Sequence, residues 1–219
     1  MCFDIFISKQ LCNKLSKMKI DKGEISLKNI VIIGVGRAGK TTLSNMIKDK
    51  WNEYSIIHSD SIKWGIIRGK GEEPYYRKNI KAQKEWEHGD EFQKILVEIY
   101  KLCVDKDEKG YGILLESGQL EPRYVKELID KYNAYCICLG HGDLDKQGII
   151  DLCRKNDKEK DWSYGISDED LDAHAEKWAE TNENLKVECP KYGIEYIDTH
   201  IDRKEILNKI MDKIEKEIK

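Results

Sequence analysis

Three glycines and a lysine–threonine pair lie within eight residues of this chain, from Gly34 to Thr41. The segment reads GVGRAGKT and follows the apolar run at residues 30–33. Glycines at this spacing let the backbone curl so that successive N–H groups point at one anion. Lys40 would reach the β- and γ-phosphates of a nucleotide, and the Thr41 hydroxyl would ligate Mg²⁺. The pattern therefore predicts a phosphate-binding loop between a strand and a helix.

The same glycines also fit the G-x-G-x-x-G fingerprint of dinucleotide-binding enzymes. Asp60 follows about 20 residues later, where such an enzyme places its ribose-binding acid. Lys40 and Thr41 favour the triphosphate interpretation, because a dinucleotide site does not need that pair. The residues that we expect to contact the nucleotide are Gly34, Val35, Gly36, Arg37, Ala38, Gly39, Lys40, Thr41 and Thr42.

Two carboxylates follow other predicted strands. Asp60 comes after the strand over residues 54–58, and Glu116 ends the strand that begins at residue 113. In a parallel sheet both would lie at the edge that carries the glycine loop. Phosphoryl transfer needs one group that orients or deprotonates the attacking hydroxyl and another that serves Mg²⁺. We assign the first role to Asp60 and the second to Glu116 with Thr41, directly or through water, although position alone leaves the two roles exchangeable.

Both acids also have structural interpretations that the sequence leaves open. Asp60 could be the N-cap of the following helix, which is a common position for aspartate. Glu116 could be an exposed acid at the end of its strand.

Several cations accompany these acids. Lys63 lies three residues after Asp60, on the same side of a predicted helix, and Arg68 ends that helix. Arg123 follows Pro122, close to the end of the third strand. We predict that Lys63, Arg68 and Arg123 join Asp60 in binding the acceptor; solvated surface charges are the alternative.

A polar segment over about residues 154–166 is predicted to be a mobile lid. Arg154 is its strongest candidate for neutralising charge in the transition state, so we group it with Lys40 and Asp60 as catalytic. An ordinary charged loop is the alternative interpretation.

Strand and helix patterns alternate about five times after residue 28. This order predicts a three-layer α/β fold, in which a five-stranded parallel sheet carries helices on both faces. We expect residues 1–28 to be an N-terminal arm, with Met18 as a possible natural start, and residues 29–219 to be one domain. Within it, residues 60–104 would form helices on the acceptor side.

The helix patterns add three local expectations. Residues 69–74 would be a break, and residues 77–104 a long helical region that is interrupted near Gly89. Ser167 and Asp170 resemble a capping box that opens a helix to about Cys189.

Composition narrows the class of protein. The chain has 38 basic and 41 acidic residues and a net charge of −3, which does not indicate a nucleic-acid-binding surface. No apolar run approaches the roughly 20 residues that span a membrane. The N-terminus lacks the basic leader and cleavage site of a signal peptide, and the 7 cysteines form no C-x-x-C pair. We therefore expect free thiols and a cytoplasmic location, with the oligomeric state left open.

These motifs and their order resemble the small P-loop kinases related to adenylate kinase, shikimate kinase and chloramphenicol phosphotransferase. The segments that carry the resemblance are GVGRAGKTT at 34–42, HSDSIK at 58–63, ILLESG at 113–118, LEPR at 120–123, RKNDKEKDW at 154–162 and YGIEYIDT at 192–199. The resemblance implies ATP and Mg²⁺ as cofactors, a lid that closes over ATP, and an acid at Asp60 that contacts the acceptor. It also implies that Arg123 binds an acceptor phosphate.

The chain departs from that family pattern at three places. Lys63 stands where related kinases have arginine, and Glu116-Ser117-Gly118 stands where adenylate kinases have Asp-Gly before Pro-Arg. The zinc-binding lid cysteines are absent from the sequence. The match is therefore to the superfamily rather than to adenylate kinase itself.

The leading hypothesis is ATP- and Mg²⁺-dependent phosphoryl transfer to a small molecule or nucleotide. A regulatory nucleotide-binding protein is an alternative, although the chain has no Asn-Lys-x-Asp guanine motif. An NAD-dependent oxidoreductase follows from the overlapping fingerprint, and a polynucleotide 5′-kinase is disfavoured by the net charge.

Overall fold

A five-stranded parallel sheet forms the centre of the molecule in the computed structural model, which describes residues 27–107, 110–159, 161 and 163–218. The strand order is β2-β3-β1-β4-β5. The strands are β1 (Ile30–Gly34), β2 (Ser55–His58), β3 (Ile113–Ser117), β4 (Tyr135–Gly140) and β5 (Glu195–Asp198). The sheet confirms the predicted α/β fold class. Residues 1–26, nearly all of the predicted arm, lie outside the described residues.

Helices connect the strands and cover the sheet. Within the described residues they are α1 (Lys40–Lys50), α2 (Ser59–Gly69), α3 (Glu73–Lys78), α4 (Ile80–Glu87), α5 (Asp90–Asp105), α6 (Pro122–Tyr132), α7 (Lys146–Asn156), α8 (Asp168–Lys191) and α9 (Arg203–Glu217). No helix in these ranges combines the length and the apolar character needed to cross a bilayer.

The central strand β1 leads directly into the glycine loop, because it ends at Gly34. All five of its residues are buried, as expected for a parallel strand with helices on both faces. Its neighbours are β3, in which Ser117 pairs with Ile33, and β4, in which Leu139 pairs with Gly34. His58 at the end of β2 pairs with Glu116 in β3. The carboxyl ends of these strands therefore meet at one edge of the sheet.

The helical region predicted over residues 77–104 consists of three helices. Pro74 lies in the first turn of α3, inside the predicted break at residues 69–74. The chain leaves helical geometry at Asn79 and again at Gly89, whose backbone is extended. The expected interruption near Gly89 is confirmed. The breaks after Gly69 and at Asn79 divide the preceding residues into the short helices α2, α3 and α4.

Helix α8 begins with the predicted cap. The Ser167 hydroxyl accepts a hydrogen bond from the Asp170 N–H at 3.1 Å. Farther along α8, the Trp178 indole packs over Gly36: a Cβ built on Gly36 would lie 2.3 Å from the ring. This long helix thus connects the predicted lid region to the glycine loop.

Candidate active site

The glycines of the loop are required by its geometry. Gly34 has a φ of 140°, and a Cβ at this position would lie 2.0 Å from the carbonyl oxygen of Leu139. Gly39 has a φ of 99° and forms the N-cap of α1. Both backbone conformations favour glycine. The loop therefore ends at a helix N-terminus, which is the geometry of an anion-binding site.

Lys40 is buried at the start of α1. Its Nζ donates a hydrogen bond to the carbonyl oxygen of Val35 at 2.7 Å, so the side chain folds back along the loop. Burial lowers the pKa of Lys40, while the charges of Glu116 and Asp60 act in the opposite direction. The predicted catalytic lysine and both predicted acids are therefore close enough to interact electrostatically.

Glu116 connects the loop to the end of β2. Its Oε1 accepts a hydrogen bond from the Thr41 hydroxyl at 3.3 Å, and its Oε2 lies 2.7 Å from Nδ1 of His58. The Thr41 hydroxyl and the Glu116 carboxylate are hard oxygen ligands of the type that Mg²⁺ prefers. The described residues contain no cluster of three or more metal-ligating His, Cys, Asp or Glu side chains. Two oxygen groups still fit Mg²⁺ at a nucleotide, because Mg²⁺ takes its other ligands from phosphates and water.

Asp60 lies in the first turn of α2, and His58 occupies the N-cap position there. Asp60 Oδ1 lies 2.8 Å from Nζ of Lys63 and accepts a second hydrogen bond, also of 2.8 Å, from Nε2 of Gln119. Partial burial raises the pKa of Asp60, but the charges of Lys63 and Lys40 and the Gln119 hydrogen bond lower it overall. Asp60 is therefore held as a carboxylate that can accept a proton.

Gln119 is a site residue that the sequence analysis missed. Its side-chain oxygen accepts a hydrogen bond from the Ser59 hydroxyl, while its amide holds Asp60. Its backbone carbonyl accepts a hydrogen bond of 2.8 Å from Gln93, and Ser117 Oγ accepts one of 3.1 Å from its N–H. The bonds fix the amide in one orientation and connect β3 to α2.

Lys63 lies in a buried network of charges. Its Nζ contacts Asp60 and also lies 3.1 Å from Oε1 of Glu87. Glu87 in turn lies 2.6 Å from Nζ of Lys177 on α8. Burial lowers the pKa of Lys63, but Glu87 and Asp60 raise it more, so the ammonium stays charged. The network connects the acceptor-side helices to α8.

The structure places the two arginines predicted to bind the acceptor in ion pairs. Arg68 pairs with Glu73 at 3.0 Å. Arg123 pairs with Glu121 at 2.8 Å and with Asp90 at 3.2 Å.

The lid predicted over about residues 154–166 begins in the last turn of α7 and continues toward α8; residues 160 and 162 are not among those that the structure describes. Arg154 donates hydrogen bonds to the carbonyl oxygen of Ile166 and to Asp168, at 3.0 and 2.7 Å. The Arg37 side chain of the glycine loop pairs with Asp157 and, at 2.9 Å, with Asp161. Both ion pairs of Arg37 therefore connect the glycine loop to the segment that follows α7.

Arg203 is a second residue that sequence reasoning missed. It begins α9, and its Cδ lies 3.2 Å from the position that a Cβ on Gly39 would take. Its Nε is buried without a hydrogen-bond partner among the described residues. Burial and the nearby charge of Arg37 lower the pKa of Arg203. A bound anion would relieve both the missing hydrogen bond and the repulsion between the two guanidinium groups.

The ends of β4 and β5 support the loop from below. His141, which follows β4, lies with Nε2 2.8 Å from the carbonyl oxygen of Gly36. Thr199, which follows β5, has its hydroxyl 2.8 Å from the carbonyl oxygen of Ala38. Burial lowers the pKa of His141 to about 4, so its ring is neutral and Nε2 donates to the loop.

Two cavities flank these residues. One has a volume of about 460 Å³ and lies beside the loop, bounded by α1, the end of α7 and the start of α9, including Arg203. The other has a volume of about 880 Å³ and lies between α4, the start of α6 and α8. Lys177 lines the larger cavity and contacts Glu87. Glu87 also contacts Lys63, the partner of Asp60.

Comparisons with known proteins give likeness in structure only. No protein-family model matches the chain, and no curated protein matches it. A gluconokinase from Sinorhizobium meliloti 1021 is similar in structure, with a TM-score of 0.55 and 14% identity over 87% of this chain and 93% of the other. A deoxyadenosine kinase from M. mycoides with bound dATP matches with a TM-score of 0.47 and 18% identity, over 85% and 99% of the two chains. At 14% identity the likeness to the gluconokinase shows the fold alone.

Proposed function

We propose that this protein transfers the γ-phosphoryl group of ATP to a hydroxyl group of a small-molecule or nucleotide acceptor. The observation that carries the proposal is the convergence of a buried P-loop lysine with two carboxylates: Lys40 is close enough to Glu116 and Asp60 for their charges to act on its pKa. A phosphate-binding loop near the ionised acid Asp60 would bring together the group that binds the donor phosphates and the group that accepts the proton of the attacking hydroxyl.

Each residue has a defined part in this reaction. Lys40 and the loop N–H groups would stabilise negative charge on the phosphoryl group in the transition state. Asp60, held by Lys63 and Gln119, would accept the proton of the attacking hydroxyl. Thr41 and Glu116 would hold Mg²⁺, which when bound neutralises charge on the β- and γ-phosphates.

We place the nucleotide base in the smaller cavity. Its 460 Å³ lies within the range of small-ligand sites and adjoins Thr42 of the loop. Arg203 lies between this cavity and Gly39, so we assign it to the phosphate groups that lead from the base to the loop.

The test is a screen of candidate acceptors for acceptor-dependent ADP release by the purified protein. We expect Lys40→Ala to lower transfer about 10²-fold, because it removes charge stabilisation from the transition state. Lys50→Ala, at the exposed end of the same helix, is the matched control and should retain activity. ATP binding without transfer to any acceptor would instead support the regulatory alternative, and no Lys40-dependent ATP binding would contradict both.

A further inference from the structure

We propose that the acceptor is an uncharged hydroxyl compound, such as a nucleoside, sugar or polyol, rather than one that bears a phosphate or carboxylate. This inference rests on the proposed phosphoryl transfer and deepens it. It follows from the state of the cations predicted to bind the acceptor, Lys63, Arg68 and Arg123, each of which contacts the protein's own carboxylates.

The first group of these cations is the buried network below Asp60. Lys63 lies between the carboxylates of Asp60 and Glu87, and Lys177 contacts the second of them. Two ammonium groups thus face two carboxylates. Lys63 and Glu87 are both less than a tenth exposed, so neither is available to a ligand without opening the network.

The second group lies on α2 and α3 around Glu73. Arg68 directs Nε to one oxygen of Glu73 and Nη2 to the other, at 3.0 and 3.1 Å. Arg77 contacts the same carboxylate at 2.7 Å and stacks on Trp64. The planar donor fork that an arginine would use to bind a phosphate in a bidentate manner is therefore occupied at Arg68.

The third group lies at the start of α6. Arg123 directs Nε to Glu121 and Nη2 to Asp90, so both of these donors are engaged. Asp90 also accepts a hydrogen bond from the Tyr124 hydroxyl. This arginine is the one that the family resemblance would assign to an acceptor phosphate, and here it faces two carboxylates.

The balance of charge matters more than the strength of any single pair. Exposed ion pairs such as those of Arg68 and Arg123 are weak, and an anion could displace either carboxylate. The displaced carboxylates would nevertheless remain beside the anion and repel it. Across the three groups five cations face five carboxylates, so these groups carry no net positive charge to attract an anionic acceptor.

Asp60 retains one oxygen for an uncharged acceptor. Both of its donors, Lys63 and Gln119, contact Oδ1, and the described residues give no hydrogen bond to Oδ2. The side chain is 66% exposed. A hydroxyl group can therefore donate to Oδ2 without displacing anything.

The transfer step balances with this arrangement. The acceptor oxygen forms a bond to the γ-phosphorus of ATP, and the bond from that phosphorus to the β–γ bridging oxygen breaks, with its electron pair leaving on ADP. The hydroxyl proton passes to Oδ2 of Asp60 and then to water.

The experiment uses the 219-residue chain to compare acceptors in matched pairs. Each uncharged nucleoside, sugar or polyol is paired with a phosphate or carboxylate derivative that keeps a free hydroxyl group, and acceptor-dependent ADP release gives kcat/KM for both. We expect the uncharged member to exceed its anionic partner at least tenfold. We also expect its KM to change less than about twofold with ionic strength, because screening acts on charged pairs.

A variant tests the cause of this preference. Glu73→Gln frees the Arg68 fork and should raise kcat/KM for the anionic members severalfold, with the uncharged members changed less than about twofold. Glu72→Gln, one residue away and exposed, makes the same change in net charge and is the control. A Glu73→Gln variant that discriminates as strongly as the control would overturn the explanation from paired cations.

The remaining outcomes separate this inference from the proposed function. Anionic members that are preferred tenfold or more would overturn the acceptor class and leave phosphoryl transfer intact. Transfer to no member of either set, with Lys40-dependent ATP binding preserved, would contradict phosphoryl transfer and the acceptor class together.

Discussion

At the scale of single residues, the candidate site depends on how Asp60 is held. Lys63 and Gln119 bind the same oxygen of its carboxylate and keep it ionised. Sequence reasoning selected Asp60 because it follows the second strand, and Lys63 because it lies one helix turn after Asp60. It missed Gln119, because the contact crosses from β3 to α2 and no local pattern marks it.

Removal of the Gln119 amide should change the pH dependence of the reaction. Its hydrogen bond lowers the pKa of Asp60, so Gln119→Leu should raise that pKa. The acid limb of kcat/KM should then move to higher pH, and kcat should fall about tenfold as the carboxylate loses its orientation. Gln147→Leu, on the exposed side of α7, is the control. A fall in activity with an unmoved acid limb would mean that Gln119 only supports the fold.

Arg203 should contribute to nucleotide affinity rather than to stability. Its guanidinium is partly buried beside Arg37 with Nε unpaired, so it costs stability until an anion binds. We expect Arg203→Gln to raise the Kd of ATP about tenfold, in line with one charge-assisted hydrogen bond. Calorimetric titration measures this, with Lys209→Gln on the exposed face of α9 as control. Unchanged ATP affinity together with a lower free energy of unfolding would assign Arg203 a packing role instead.

At the scale of elements, the buried network of Lys63, Glu87 and Lys177 joins three helices. A buried ion pair that loses one partner typically costs about 3 kcal/mol, because a charge is left without compensation. Glu87→Met should therefore lower the free energy of unfolding by about that amount, measured by urea denaturation, because Lys177 loses the carboxylate that it contacts. The double variant Glu87→Met/Lys177→Met should recover most of the loss, since both members of that pair are then removed and Lys63 keeps Asp60 as its partner. Equal losses in the single and double variants would contradict this account.

The contact between the glycine loop and the lid is a second connection between elements. Arg37 joins the loop to Asp157 and Asp161, and it does so with a φ of 64° that few non-glycine residues adopt. Arg37→Ala should therefore loosen residues 157–167, and tryptic cleavage at Lys158 should become several times faster. Lys155→Ala, an exposed residue at the end of α7, serves as control. An unchanged cleavage rate would show that other contacts hold the lid in place.

At the scale of the whole molecule, the fold was the most predictable feature. Apolar strands separated by amphipathic helices predict a parallel sheet, and the loop motif predicts which end of it would bind phosphate. The short helices α3 and α4 were harder, because no glycine or proline marks the break between them at Asn79, whereas Gly89 marked the break before α5. Arg203 was not predictable, because an arginine at the start of an amphipathic helix is usually a solvated surface charge.

His141 connects the site to the stability of the whole chain. It is fully buried beneath the loop, with Nδ1 unpaired among the described residues and a pKa of about 4. Its pKa is therefore lower in the folded state than the ordinary value of about 6.5 in the unfolded state. The stability from the neutral ring is complete above about pH 6.5 and is lost as the pH falls toward 4, because the unfolded state binds the proton first.

This linkage can be measured against a variant without the titrating group. Between pH 7 and pH 5, His141 should account for a loss of about 2 kcal/mol in the free energy of unfolding. His141→Gln, which keeps an amide near the carbonyl oxygen of Gly36, should be less stable at pH 7 but should lose about 2 kcal/mol less over that interval. His200→Gln, a partly exposed histidine beside the same edge of the sheet, is the control. If the wild type and His141→Gln show parallel pH profiles in urea denaturation, the buried neutral ring does not govern acid stability.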